Sequence, residues 1–265
     1  MTKDLTIEEA RALSGGRLGR TMLETAIGYA APLWWVEPSD DGRHVVRNGS
    51  AFFLDCGRGP FLVTAGHVFS GYLEARRDRG AGLATVGTGP GPGPGEGLEV
   101  DLEERLIAHS SDPDVATFRV AAGEPGRSGC VVLTGHGREW PPPPPEEGRG
   151  VFFAGFPGLE VLRPGPRVLS FGALAGMGVA TDVGSRSIWS QFERGEWTDV
   201  FGLGLPPEDY NMGGLSGGPL LAVVEHLGVM SWRLGGVICE ASSQLAEGMF
   251  AARADFIGPR GELTA

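Results

Sequence analysis

Phe61-Leu62-Val63-Thr64-Ala65-Gly66-His67 is a short β-prone run that ends in small residues and delivers a histidine. Phe61–Val63, a short run of β-prone apolar residues, reads as a strand, so His67 is expected where a strand gives way to a loop. Ser70–Arg77 is expected to add one or two helical turns. The texture repeats on both sides. Trp34–Val36, Val45-Val46, Ala51–Leu54, Leu106–Ala108, Val115–Val120 and Cys130–Leu133 are short β-prone runs parted by glycine, proline or polar residues. A second set begins at Val151-Phe152-Phe153-Ala154-Gly155-Phe156-Pro157. It continues through Arg167–Ser170, Gly178–Ala180, Leu220–Val224 and Gly236–Cys239. Many short strands between turns read as all-β, and two such series without a residue-level repeat read as two packed barrels.

Composition agrees and excludes several classes. The 265 residues include 45 glycines and 20 prolines, too many for a helical bundle, and 41% are apolar, enough for a real core. The net charge of −11, with no basic run, argues against nucleic acid or an acidic membrane as partner. Three scattered cysteines, Cys56, Cys130 and Cys239, suggest neither a disulfide framework nor a zinc ligand set and point to a reducing compartment. No signal-peptide pattern and no long apolar span is present, so a cytoplasmic protein is expected.

The best helical signal lies in residues 6–30, with Thr6 as N-cap, Glu8 and Glu9 in the first turn and Gly15-Gly16 as an interruption. Residues 87–97 alternate glycine and proline through much of their length and are expected to be a solvent loop. Pro141–Pro145 is expected to be an extended polyproline connector between two compact halves, with a rim loop as the alternative. These marks divide the chain into a helical extension (1–34), a first β unit (35–139) and a second (140–265).

Candidate chemistry gathers in three segments. Gly214-Leu215-Ser216-Gly217-Gly218-Pro219 surrounds a serine with residues that let the backbone turn sharply, aiming the amides of Gly214 and Ser216 at one point as an oxyanion hole. Alone, that motif carries little in so glycine-rich a chain; its company carries it. A serine hydroxyl needs a base. Of His44, His67, His109, His136 and His226, only His67 is delivered from an apolar strand through small residues. The base needs an orienting carboxylate. Asp114 opens the alternating run Val115–Val120, while Asp112, two residues earlier, is its rival.

These segments, in the order histidine, aspartate, serine, resemble the trypsin-like serine peptidases of the chymotrypsin fold. The likeness rests on Thr64-Ala65-Gly66-His67, Asp114-Val115-Ala116 and Gly214–Pro219, with support from Gly49-Ser50-Ala51-Phe52 and Gly155-Phe156-Pro157. It implies two six-stranded antiparallel β-barrels, a His67/Asp114/Ser216 triad, hydrolysis of a polypeptide through an acyl-enzyme, and no cofactor or metal. Val68 stands where secreted members commonly carry cysteine, so the resemblance is to bacterial, disulfide-free members. Leu215 replaces the aspartate that pairs with a newly cut amino terminus in zymogen-activated members. The oxyanion loop is therefore expected to form on translation or to be ordered by a ligand or a regulatory protein partner. By the family's spacing Tyr210, beside Asp209, sits at the base of the substrate pocket with Asn211, Met212 and Gly213 after it. Tyrosine there argues against a preference for lysine or arginine and for a small or apolar side chain. The aromatics of Arg186–Trp197 (Trp189, Phe192, Trp197) are expected to pack rather than to rim a cleft.

Two other readings compete. Gly214–Gly218 also satisfies the esterase pattern of α/β-hydrolases, but that fold needs an acid and then a histidine after the serine. Here only His226 follows, ten residues on. A catalytically silent binding module on a peptidase fold is the other.

Overall fold

The computed structural model describes residues 12–39, 44–87, 97–135, 140–165, 168–191, 198–207, 210–226, 229–242 and 248–264. The expected cap at Thr6 with Glu8 and Glu9, most of the 87–97 run, His136, Phe192, Trp197 and Asp209 lie outside them. Residues 12–15 are helical, and α1 (Arg17–Tyr29) follows across Gly16. Gly19, Leu23 and Ala26, spaced four and three apart, form its buried stripe. The helix passes directly into a strand, so β structure starts at Ala30, ahead of the run read from Trp34 and inside the 1–34 segment expected to be helical.

The first sheet contains β1 (Ala30–Pro38), β2 (His44–Asp55), β3 (Pro60–Thr64), β4 (Ala84–Val86), β5 (Leu98–Val100), β6 (Leu106–Ser111), β7 (Asp114–Arg119) and β8 (Leu133–Thr134). Its order is β5-β4-β1-β2-β3-β7-β6, antiparallel throughout, with β8 added parallel to β2. Val45-Val46 and Ala51–Leu54 fall on the one long strand β2, because Arg47, Asn48 and Gly49 between them continue its pairing with β1. After β3 comes α2 (Gly66–Arg79), longer than the turn or two expected after Ser70. Gly80 ends it in the left-handed conformation, with Arg76, Arg77 and Arg79 in the last turn where they suit the helix dipole.

The second sheet contains β9 (Gly150–Gly155), β12 (Leu174–Val179), β13 (Asp182–Val183), β14 (Ser187–Gln191), β15 (Pro219–His226), β16 (Val229–Ser242) and β17 (Gly248–Arg253). Its order is β12-β9-β15-β16-β17-β14-β13. A separate hairpin pairs β10 (Val161–Gly165) with β11 (Val168–Phe171). The architecture is two curled antiparallel β units with a short amino-terminal helix, as expected. The first sheet has eight strands and the second seven, against the six expected in each; β4, β5, β8 and β13 are only two or three residues long. Pro141–Pro145 joins the units without regular structure, held by Trp140 Nε1 donating to Ile257 O (2.9 Å) and Arg233 Nη2 to Pro144 O (3.3 Å). Among the described residues no helix is long and apolar enough to cross a membrane.

The strands read as unbroken apolar runs because both of their faces are covered. Along β2, Ala51 and Phe53 enter the first unit's core, while Phe52 and Leu54 enter a layer shared between the units. Along β9, Phe152 and Ala154 enter the shared layer, while Val151 and Phe153 enter the second core. Leu62 and Phe61/Val63 on β3 divide in the same way, as do Leu220 and Leu221 on β15. The period of two thus builds three apolar layers from single strands. Replacing Phe152, which is fully buried, with alanine is expected to lower unfolding stability by about 3–5 kcal/mol. Leu159→Ala, at a side chain 62% exposed, should change it by less than about 0.5 kcal/mol, both read by urea titration.

Candidate active site

His67 does not lie in a loop. It occupies the first turn of α2, because β3 ends at Thr64 and Ala65 already stands at the helix N-cap. Ala65 has no side chain able to cap the helix. Asp114, at the start of β7, does so instead: its Oδ1 accepts the backbone N–H of His67 (2.7 Å). Its Oδ2 meets Nδ1 of the same residue at 2.6 Å. One carboxylate therefore caps the helix and orients the imidazole, which fixes Nδ1 as the protonated nitrogen and leaves Nε2 to accept. Gly66 permits the approach, since a Cβ there would lie 2.3 Å from Ser110 O and 2.8 Å from Asp114 Oδ1. Burial raises the Asp114 carboxyl, but hydrogen bonding and charge attraction from His67 outweigh it and hold the group below the ordinary carboxylate range.

Asp112, the rival, is 73% exposed and turned to Arg186, whose Nη1 is 3.5 Å from its carboxylate. The other histidines are placed elsewhere. His109 packs edge-on against Phe69, His44 is exposed at the start of β2, and His226 ends β15.

The spacing of glycines around Ser216 follows from successive turns. Leu215 N–H donates to Met212 O (3.1 Å) and Gly218 N–H to Leu215 O (3.0 Å), and the third position of each turn is a glycine of positive φ, Gly214 (103°) and Gly217 (92°). Both are type II turns, in which that position excludes ordinary side chains. A trans peptide points its C=O and N–H in opposite directions. Gly213 O is held by Gly158 N–H (2.8 Å) and Leu215 O by Gly218 N–H. The N–H groups of Gly214 and Ser216 therefore face away from those contacts, and among the described residues neither has an acceptor.

Ser216 lies against both units. Its carbonyl accepts Ser50 N–H (2.8 Å), and a Cβ on Gly217 would strike Ser50 O and Thr64 Oγ1, three residues ahead of His67. Its hydroxyl donates to Cys239 O (2.8 Å) and not to the His67 ring. Cys239, in turn, sets its Sγ 3.5 Å from Asp114 O. The structure thus joins His67 and Asp114 directly and brings Ser216 to them by way of Cys239. Burial and the neighbouring Asp114 charge push the Cys239 thiol up to about 12, so it is a neutral packing group. The sequence reading does not single out Cys239, which lies beside the serine loop because it stands on β16 two residues beyond Val237, the partner of Pro219 on β15.

The residues expected at the substrate pocket separate into two kinds. Tyr210 and Met212 are buried in the second core, and the Tyr210 hydroxyl donates to Glu160 (2.9 Å), with burial and that carboxylate both raising its pKa. Asn211 and Gly213 are exposed, and the Asn211 side chain accepts Gly213 N–H (2.8 Å) in a local turn. Trp189 packs against Phe250 with the rings tilted (4.3 Å between ring centres, 43° between planes), as expected of a packing aromatic. An apolar cavity of ≈ 560 Å³ is lined in part by Phe153, Leu174, Met177, Leu205 and Met212, and its lining includes none of His67, Asp114 and Ser216. Among the described residues no cluster of three or more histidine, cysteine or acidic side chains could hold a metal ion.

Paired curled sheets in this arrangement define the chymotrypsin-type double-barrel fold. Among solved structures the chain is similar to that of Deg5, with a TM-score of 0.52 and 17% identity, covering 96% of this chain and 93% of that one. No family model matches the sequence, and no curated protein does.

Because the folded carboxyl of Asp114 titrates below its ordinary value of about 3.9, its stabilising effect is complete above that pH and is lost as pH falls toward the lower folded value. Asp114→Asn is therefore expected to be less stable than the parent at neutral pH. Thermal unfolding from about pH 7 down to about pH 2 should show the difference closing on the acid side.

Proposed function

We propose that the chain is a serine endopeptidase in which Ser216 is the nucleophile, His67 the general base and Asp114 the orienting carboxylate. The observation that carries this reading is the two-point hold of Asp114 on His67, with Ser216 alongside. In the first step the Ser216 hydroxyl gives up Cys239 O as its acceptor in favour of His67 Nε2. Its oxygen attacks the peptide carbonyl while its proton passes to Nε2, and Asp114 stabilises the resulting imidazolium. Negative charge develops on the former carbonyl oxygen, where the N–H groups of Gly214 and Ser216 receive it. Collapse breaks the C–N bond, Nε2 returns the proton to the departing amine, and an ester to Ser216 remains. Water, deprotonated by the same nitrogen, then releases the acid and restores the hydroxyl.

The Ser216 to Cys239 hydrogen bond favours a second reading, a binding module that keeps the fold without turnover. A fluorophosphonate probe together with a peptide-library digest separates the two. Labelling of the parent but not of Ser216→Ala is expected. Ser216→Ala should lower peptide hydrolysis by about 10⁶-fold and Asp114→Asn by about 10⁴-fold. An unlabelled parent that cleaves no peptide overturns the enzymatic reading. The library also reports the side chain accepted, expected to be small or apolar.

A further inference from the structure

Resting on that reading, we propose that Ser50 is a positioning residue that holds the oxyanion turn in its working shape from across the boundary between the two β units. Ser50 lies on β2 and is fully buried. Its Oγ donates to Gly214 O (2.7 Å) and accepts Phe156 N–H (2.8 Å), while its backbone N–H donates to Ser216 O (2.8 Å). A single residue of the first unit thereby grips both residues whose amides form the hole.

The grip extends to its neighbours. Asn48, two residues along the same strand, donates from Nδ2 to Phe156 O (2.7 Å), and Gly158 N–H, just beyond, holds Gly213 O. The peptide groups 213–214 and 214–215 are thus tied at their carbonyls by Gly158 and Ser50 respectively. Rotation of the first, which would turn the Gly214 N–H inward, needs both Gly158 and the Ser50–Phe156 support to give way. The packing leaves no slack. A Cβ on Gly214 would lie 2.6 Å from Phe156 O and 2.8 Å from Asn48 Nδ2, and one on Gly155 would lie 2.8 Å from Ser50 Oγ. Leu215 brings no charge to the turn; it is fully buried and sits against Gly155. The neutral hydroxyl of Ser50 therefore does what an ion pair at residue 215 cannot do in this chain, and the turn is ordered by the chain itself.

The test compares Ser50→Ala with the parent in kcat, KM, fluorophosphonate labelling rate and thermal midpoint. The alanine leaves Gly214 O and Phe156 N–H without their shared partner but removes no group that faces substrate. The expected result is a kcat about 10- to 100-fold lower, somewhat less than deletion of an oxyanion donor costs, with KM within about threefold and labelling slowed in step with kcat. Ser50→Cys, which keeps the shape with a weaker donor, should fall between the two. If Ser50→Ala does not fold, the cysteine variant decides. A kcat equal to the parent per folded molecule, with only the thermal midpoint lowered, overturns the inference and leaves the enzymatic reading intact. A parent that neither labels nor cleaves overturns both.

Discussion

The carboxylate of Asp114 ties the candidate site to the fold. Its two oxygens serve one residue, yet they join different levels of structure: one completes the hydrogen bonding of a helix end, the other fixes a side chain. Because α2 has no capping side chain of its own, displacing Asp114 would expose the helix end and free the imidazole together. Geometry of this kind leaves little room for a ring that is present but misdirected. It also explains why Gly66 precedes the histidine, since only a residue without Cβ lets the helix start so close to β7.

The serine loop shows the same economy of close approach. Gly214 and Gly217 are required by φ, whereas Gly218 is required by distance, its absent Cβ lying 2.2 Å from Ala154 O. What reads in the sequence as a flexible glycine-rich stretch is, in the folded chain, held through its peptide groups by Ser50, Gly158, Ile238 and its own turns. Loss of side chains here serves packing, not mobility.

The sequence carried the β class, the two-unit layout and the pairing of His67 with Asp114, because periodicity and short motifs are local signals. It misled where local signals were silent about context. The 66–79 segment reads as a shorter helix because Ala65 offers no capping side chain at its start; in the fold that start is capped by Asp114, forty-seven residues beyond His67, while Val68, Phe69, Tyr72 and Ala75 pack on the first sheet. Counting back from Ser216 puts Tyr210 and Met212 at the pocket, yet counting does not say which way a side chain turns, and both enter the core. Cys239, Ser50 and Asn48 acquire their roles only from strand register and from contact across the units.

Residues 257–263 return from the second unit to the first. Trp140 donates to Ile257 O, the fully buried Thr117 hydroxyl donates to Gly261 O, and the empty Cβ position of Gly261 faces Ile107 and Phe61. A ribosome delivers Thr117 long before Gly261, a separation of 144 residues. During synthesis the Thr117 hydroxyl must therefore wait with only its longer contact to Ala108 O (3.4 Å) on the neighbouring strand, and the first barrel gains its second, shorter acceptor only after the second barrel has been made.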